Sequence, residues 1–130
     1  MKLLLDTHVL IWALEGSYRL PQHICEMIID ANNEIYVSAA SLWEISIKHK
    51  KHPEQMTFSA NQIRDFAQRA GYIFLSLNLD AISVYDANDL TMHNDPFDQI
   101  LVCQSQAHGM RLLTHDKKLK SFGLGYIELF

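Results

Sequence analysis

Leu3-Leu4-Leu5, followed at once by Asp6, is the stretch that most narrows what this chain can become. Successive strand residues point to opposite faces, so an unbroken apolar run needs cover on both sides. A strand with one wet face would alternate instead. The run therefore predicts a strand inside a parallel sheet sandwiched by helices. An acid ending such a strand must sit at the exposed sheet edge or be specifically paired.

The rest of the chain repeats that strand–helix alternation. Residues from Thr7, with Val9, Leu10, Ala13 and Leu14, read as a helix stopped by Gly16. Pro21 opens a second helix carrying Ile24, Cys25, Ile28 and Ile29. Glu34–Ser38 is short and β-prone, and a helix from Ser41 runs to about Lys50, before the break at Pro53. Ser59 to Arg69 reads as helix halted by Gly71, Tyr72 to Leu77 as strand, and Leu79 to about Leu90 as helix. Asp95 can cap the next helix, with Pro96 at its first position and Asp98 in its first turn. Ile100, Leu101, Cys103, Gln104 and Ala107 continue it at helical spacing, and Gly109 offers a left-handed stop. Arg111–Thr114 is a further strand, with Asp116 and a short helix to Phe122 behind it. Gly123 and Gly125 surround a turn, and Tyr126 to Leu129 adds a last strand. The expected class is α/β with a mostly parallel sheet.

With 130 residues the chain is expected to form one domain, residues 1–130. Cys25 and Cys103 are far apart in helix-like contexts, which suits buried free thiols in a reducing compartment. Asp6 and His8 interrupt any signal-peptide core, and no apolar run approaches a membrane span, so a cytoplasmic location is expected. A net charge of −4 argues against non-specific coating of nucleic acid but permits a nuclease whose acids are gathered at a metal site. Lys48, Lys50 and Lys51 form one basic run, and Lys117, Lys118 and Lys120 another; each can equally be a solvated face.

Ligands of open parallel sheets bind outside the carboxyl ends of the strands, where strand order switches. Asp6 ends the first strand, Glu44 follows the second, Asp116 follows the Arg111–Thr114 strand, and the helix opened by Asp95 and Asp98 can face the same edge. Each acid has a plain alternative. Asp95 and Asp98 favour a helix N-terminus, Glu44 completes a capping box with Ser41 or pairs with Lys48, and Asp116 caps a short helix. Their arrival at one edge points jointly to a metal site.

Leu-Leu-Leu-Asp6-Thr7-His8-Val-Leu-Ile-Trp12, Ser38-Ala-Ala-Ser41-Leu-Trp43-Glu44-Ile, His93-x-Asp95-Pro96-Phe97-Asp98 and Thr114-x-Asp116 together resemble the PIN-domain toxins of the VapC type. These are the ribonuclease halves of bacterial type II toxin–antitoxin pairs. Each motif is weak alone, but their order matches across essentially the whole chain. The resemblance implies a Rossmann-like α/β/α sandwich, a Mg²⁺- or Mn²⁺-dependent endoribonuclease, and an acidic quartet at Asp6, Glu44, Asp98 and Asp116. It also implies an RNA substrate, a cognate antitoxin and a homodimer. Two departures bear on substrate contacts. Gln99 stands where Arg commonly follows the Asp-Pro-Phe-Asp element, and Lys50-Lys51-His52-Pro53 replaces a Gly-Lys turn.

Several carboxylates in one site repel, by about 4 kcal/mol for a pair about 4 Å apart at an effective dielectric near 20. Protonation or a cation must relieve this. Hard oxygen donors suit Mg²⁺ or Mn²⁺ over Zn²⁺. Asp6 and Asp98 are the expected direct ligands, with Glu44 and Asp116 at a second metal or its water, and Thr7 and Thr114 as donors to the carboxylates. His8, His93 and His115 lie near these acids but lack the spacing of a helical zinc motif, while His23, His49, His52 and His108 read as surface residues. Trp12 and Trp43 can stack on bases, although their helical contexts favour core packing. Two other functions stay open: a degenerate PIN domain that binds RNA or protein without cutting, and a receiver-like phosphate-handling regulator. The last lacks an acid pair after the first strand and a lysine ending a late one.

Overall fold

A computed structural model describes residues 1–91, 94–122 and 126–130, without the side chains of 120–122. His93, the turn glycines Gly123 and Gly125, and the side chain of Lys120 lie outside the described residues.

The strands are β1 (Lys2–Leu5), β2 (Glu34–Ser38), β3 (Ile73–Leu75), β4 (Arg111–Thr114) and β5 (Ile127–Leu129). They form one sheet in the order β3-β2-β1-β4-β5, and every pairing is parallel. The helices are α1 (Thr7–Glu15), α2 (Gln22–Ile29), α3 (Ala39–Lys51), α4 (Ala60–Arg69), α5 (Leu79–Ala87) and α6 (Pro96–His108), with a 3-10 helix over Lys117–Phe122. The fold is an α/β/α sandwich. Leu3 and Leu5 pack with Val9, Ile24, Ile45 and Ile63 of α1 to α4, whereas Leu4 packs with Ala81 and Leu101 of α5 and α6. The alternation of the strand thus feeds two cores, and all three leucines are fully buried. None of the described helices is long and apolar enough to cross a membrane.

Strand order reverses beside β1, because the chain builds outward to β2 and β3 and then returns to place β4 on the other flank. Asp6 and Asp116 therefore emerge side by side at a topological switch point. Helix ends follow local chemistry: Gly16 and Gly109 close α1 and α6 at φ 65° and 63°, a conformation that favours glycine.

Several boundaries differ from expectation: β3 spans only Ile73–Leu75 rather than Tyr72 to Leu77, β5 starts at Ile127 rather than Tyr126, and two helix ends move. Helix α5 ends at Ala87, where the Asn88 side chain donates to the Val84 carbonyl at 2.8 Å. Helix α3 begins at Ala39, because Ser38 serves both as the end of β2 and as the cap, its hydroxyl accepting from Ala40 N at 3.0 Å. The Ser41–Glu44 capping box does not form there; both residues lie inside the helix and are buried.

The Ser38 hydroxyl also donates to Gln104 Oε1 at 2.6 Å, and Gln104 Nε2 donates to the Ser76 carbonyl at 3.3 Å. This fully buried amide ties α6 across the carboxyl ends of β2 and β3. Replacing it with an apolar isostere strands a buried hydroxyl and a carbonyl, and an unsatisfied buried group costs about 1–3 kcal/mol. Gln104→Leu is therefore expected to lower the urea midpoint by that amount of stability with an unchanged m-value. An unshifted midpoint would show that the tie contributes nothing.

Candidate metal and nucleic-acid site

Asp6 closes β1 and precedes α1. Its backbone carbonyl accepts from Leu10 N at 2.9 Å, but its side chain makes no cap bond. The carboxylate instead accepts from Thr114 Oγ1 at 2.6 Å, and that same hydroxyl accepts from Asp116 N at 3.0 Å. One threonine at the end of β4 thereby fixes the acids of both central strands. On the other flank, Thr7 Oγ1 donates to Glu44 Oε1 at 2.7 Å and stands 3.0 Å from Ser41 Oγ. Lys48 Nζ meets Glu44 Oε2 at 2.6 Å, one helical turn further on. Thr7 and Thr114 thus donate to carboxylates as expected, and Ser41, read from the sequence only as a cap, joins the network.

Asp95 does cap α6, accepting from Phe97 N at 2.9 Å, and Asp116 accepts from Lys118 N at 3.0 Å at the start of the 3-10 helix. Capping explains part of those two acids. It does not explain the burial of Asp6, Glu44 and Asp98, which are only 5%, 5% and 7% exposed. Two cavities of about 610 and 290 Å³ share Glu44, Lys48, Asp95, Asp98 and Asp116 in their walls, and Asp6 borders the smaller. The predicted quartet therefore meets in one place. Among the described residues, no group of three or more His, Cys, Asp or Glu side chains stands close enough together to hold a metal ion as placed.

Charge crowding leaves a physical signature. Burial pushes the Asp98 carboxyl up to about 8, and the charges of Asp6, Asp95, Asp116 and Glu44 add to that rise. Burial also raises Asp6, against the lowering effects of the Thr114 hydroxyl and the nearby His8. At neutral pH the ion-free site is thus expected to retain a proton on Asp98.

Other sequence expectations fare unevenly. Gln99 lines neither acidic cavity; its amide donates to the Leu90 carbonyl at 3.0 Å and it borders an apolar groove beside α5. Lys48 borders both of them, whereas Lys50 and Lys51 are exposed. Trp43 is 66% exposed rather than in the core, and Trp12 is half-buried on the wall of the smaller cavity. His49 and His108 are half-buried and hydrogen-bonded, to the Met56 carbonyl and the Asn78 amide, while His23 and His52 are exposed.

A family model of the PIN domain matches residues 3–124 of the sequence. No curated protein matches it. Among solved structures, the chain is similar to one in VapBC2 from Rickettsia felis bound to a DNA fragment from their promoter, with TM-score 0.71 and 17% identity over 100% of this chain and 99% of that one. It is also similar to one in VapBC-1 from nontypeable Haemophilus influenzae, with TM-score 0.71 and 19% identity over 99% and 98%. A toxin–antitoxin complex from Klebsiella pneumoniae gives TM-score 0.60 and 18% identity over 96% and 94%. At these identities the likeness is one of fold.

The raised Asp98 makes a signed prediction. Its folded value of about 8 exceeds the ordinary 3.8 of an aspartate, so the native state holds the proton more tightly and loses stability as pH rises between the two. Asp98→Asn removes this penalty. In EDTA at low salt the variant is expected to melt higher than the parent, by about 1 kcal/mol, after losing about 0.3–1 kcal/mol of helix-dipole interaction. The gap should be small near pH 4 and widest above pH 8. A pH-independent gap, or a less stable variant throughout, would return Asp98 to the role of helix-terminal acid.

Proposed function

The chain belongs to the PIN-domain family, and on that footing we propose that it is a metal-dependent endoribonuclease, the toxin of a type II toxin–antitoxin pair. The observation that carries this reading is the meeting of Asp6, Glu44, Asp98 and Asp116 on one cavity at the switch point of the sheet. Residues 1–130 would act as one PIN-like domain.

The donor set fits a hard divalent cation. It is all carboxylate oxygen, it borders space for water, and the raised Asp98 carboxyl would give up its proton more readily beside a cation. Mg²⁺ or Mn²⁺ suits it better than Zn²⁺. Asp6 and Asp98 would hold the ion directly, with Glu44 and Asp116 placed for a second ion or for water. Bound there, such an ion lowers the pKa of a coordinated water and offsets charge on the phosphate. The chain's own contribution is positioning. Thr114 fixes one oxygen of Asp6 and Thr7 one oxygen of Glu44, so neither carboxylate has to reorganise during attack. Lys48 balances Glu44 and stands on the cavity wall where a phosphate would arrive. Hydrolysis at this place would form one P–O bond to the oxygen of water and break the P–O bond to the ribose, the displaced ribose oxygen taking up a proton that the water gives up.

Likeness to chains of toxin–antitoxin complexes supports an antitoxin as partner. A second copy of the chain is the proposed occupant of another face. Leu77, Ile82 and Tyr85, which line one groove beside α5 just past the edge strand β3, are exposed apolar residues. An apolar group of this kind marks an interaction surface.

Purified protein is expected to cut single-stranded RNA with Mn²⁺ and not with EDTA. Asp6→Asn should lower the rate by more than about 100-fold, beyond the 10–100-fold typical of an outer-shell loss. The same variant should relieve growth arrest in a bacterial host, as should co-expression of the antitoxin. Cleavage that survives EDTA, or arrest that survives Asp6→Asn at equal soluble level, would sink the reading. For the second copy, Ile82→Glu should convert a sedimenting dimer to monomer without changing the circular dichroism. A parent that sediments as a monomer removes that interface.

A further inference from the structure

We propose that Trp12, His8 and His115, with Arg19 beside them, form a binding ledge for one nucleobase of single-stranded RNA, next to the acidic site. This rests on the ribonuclease reading above and says where the substrate is gripped.

Trp12 follows His8 by one turn of α1, just beyond Asp6, and His115 lies between Thr114 and Asp116. The Trp12 ring centroid is 5.9 Å from that of His8, at an interplanar angle of 29°, and 5.6 Å from that of His115, edge to face. The Arg19 guanidinium carbon stands 5.6 Å from the Trp12 ring centroid. His115 is itself held, its ring 5.1 Å from that of Phe130 and its Nδ1 in hydrogen-bond contact with the Phe130 carbonyl. His8, Trp12 and His115 border the same cavity of about 290 Å³ as Asp6, Asp98 and Asp116.

Trp12 packs in part against the apolar core that includes its helix neighbours Val9 and Leu10. The rest of Trp12, which is half-buried overall, is gathered with the exposed His8, Arg19 and His115, so the cluster of rings reaches solvent. The cavity wall thus combines two chemistries, carboxylates and neighbouring aromatic rings, and the Arg19 guanidinium lies against one of those rings. A nucleotide has the same two parts, a phosphate and a flat base. Bases stack on Trp, His and Arg planes with little regard to sequence, because every base has a π-face. The base at this ledge would place its own phosphate toward the acids.

The two tryptophans make the test internally controlled, since Trp43 is exposed on α3 and borders neither acidic cavity. Their indole N–H signals, assigned with Trp43→Phe, are followed in Mg²⁺ while nucleoside 5′-monophosphates are added; these contain no bond to cut. The Trp12 signal should move and the Trp43 signal stay. Ribose 5-phosphate, which lacks a base, should leave both in place. In cleavage, Trp12→Leu should raise KM for a short RNA about tenfold with kcat nearly unchanged, and Trp12→Phe should restore most of it. Should Trp12→Leu fail to fold, His8→Ala at an exposed position is expected to raise KM in the same direction. RNA that is cut while the Trp12 signal stays silent, or responds equally to ribose 5-phosphate, overturns the ledge and leaves the ribonuclease standing. A Trp12 signal that responds to nucleotides in a protein that cuts no RNA supports the ledge and refutes the ribonuclease.

Discussion

The Thr114 hydroxyl, 2.6 Å from Asp6 Oδ2, is the contact on which the site depends most directly. Asp6 ends the middle strand, so its carboxylate is surrounded by protein and would otherwise be desolvated without compensation. A hydrogen bond donated to the charged form favours ionisation and opposes what burial does. The same oxygen receives the Asp116 amide, so β4 sets the position of both acids at once. The parallel β1–β4 pairing that makes this possible is held in register by Leu3 against Arg111 and Leu5 against Leu113.

Around that contact the fold concentrates negative charge and then relieves it unevenly. Glu44 is relieved by Lys48 and Thr7, Asp6 by Thr114, and Asp116 and Asp95 by backbone amides. Asp98, buried among these charges, is pushed up to about 8, so it is the carboxyl expected to hold a proton in the ion-free protein. A divalent ion would settle the charge differently, exchanging that proton for charge neutralisation. Site and stability are thereby linked through one carboxyl group.

The helical layers divide the work. Helices α1 to α4 share one apolar core with Leu3 and Leu5, and α5 with α6 share the other with Leu4. Helix α6 carries Asp95 and Asp98, so its placement matters beyond packing. Gln104 contributes to that placement through Ser38 and Ser76, a buried polar tie beside the apolar contacts of Leu101 and Val102. Buried amides of this kind fix one arrangement where apolar contacts alone tolerate several.

Local chemistry was enough to determine much of this protein from its sequence. A both-sides-apolar strand implied a parallel sheet, and Asp95-Pro96 with Gly109 marked α6 at both ends. The acids that follow strands were legible because strand ends in such sheets share an edge. What local chemistry could not decide was which partner each side chain chooses. Ser41 and Glu44 spell a capping box, yet Ser38 caps the helix because the strand runs straight into it and Thr7 draws the other two inward. Gln99 stands in the motif but turns to Leu90, and Trp12 and Trp43, alike in sequence context, part company, one on the cavity wall and one in solvent. Those choices were made by tertiary structure, because a side chain's direction depends on neighbours brought near from distant positions, and Asp6 meets its hydroxyl 108 residues away.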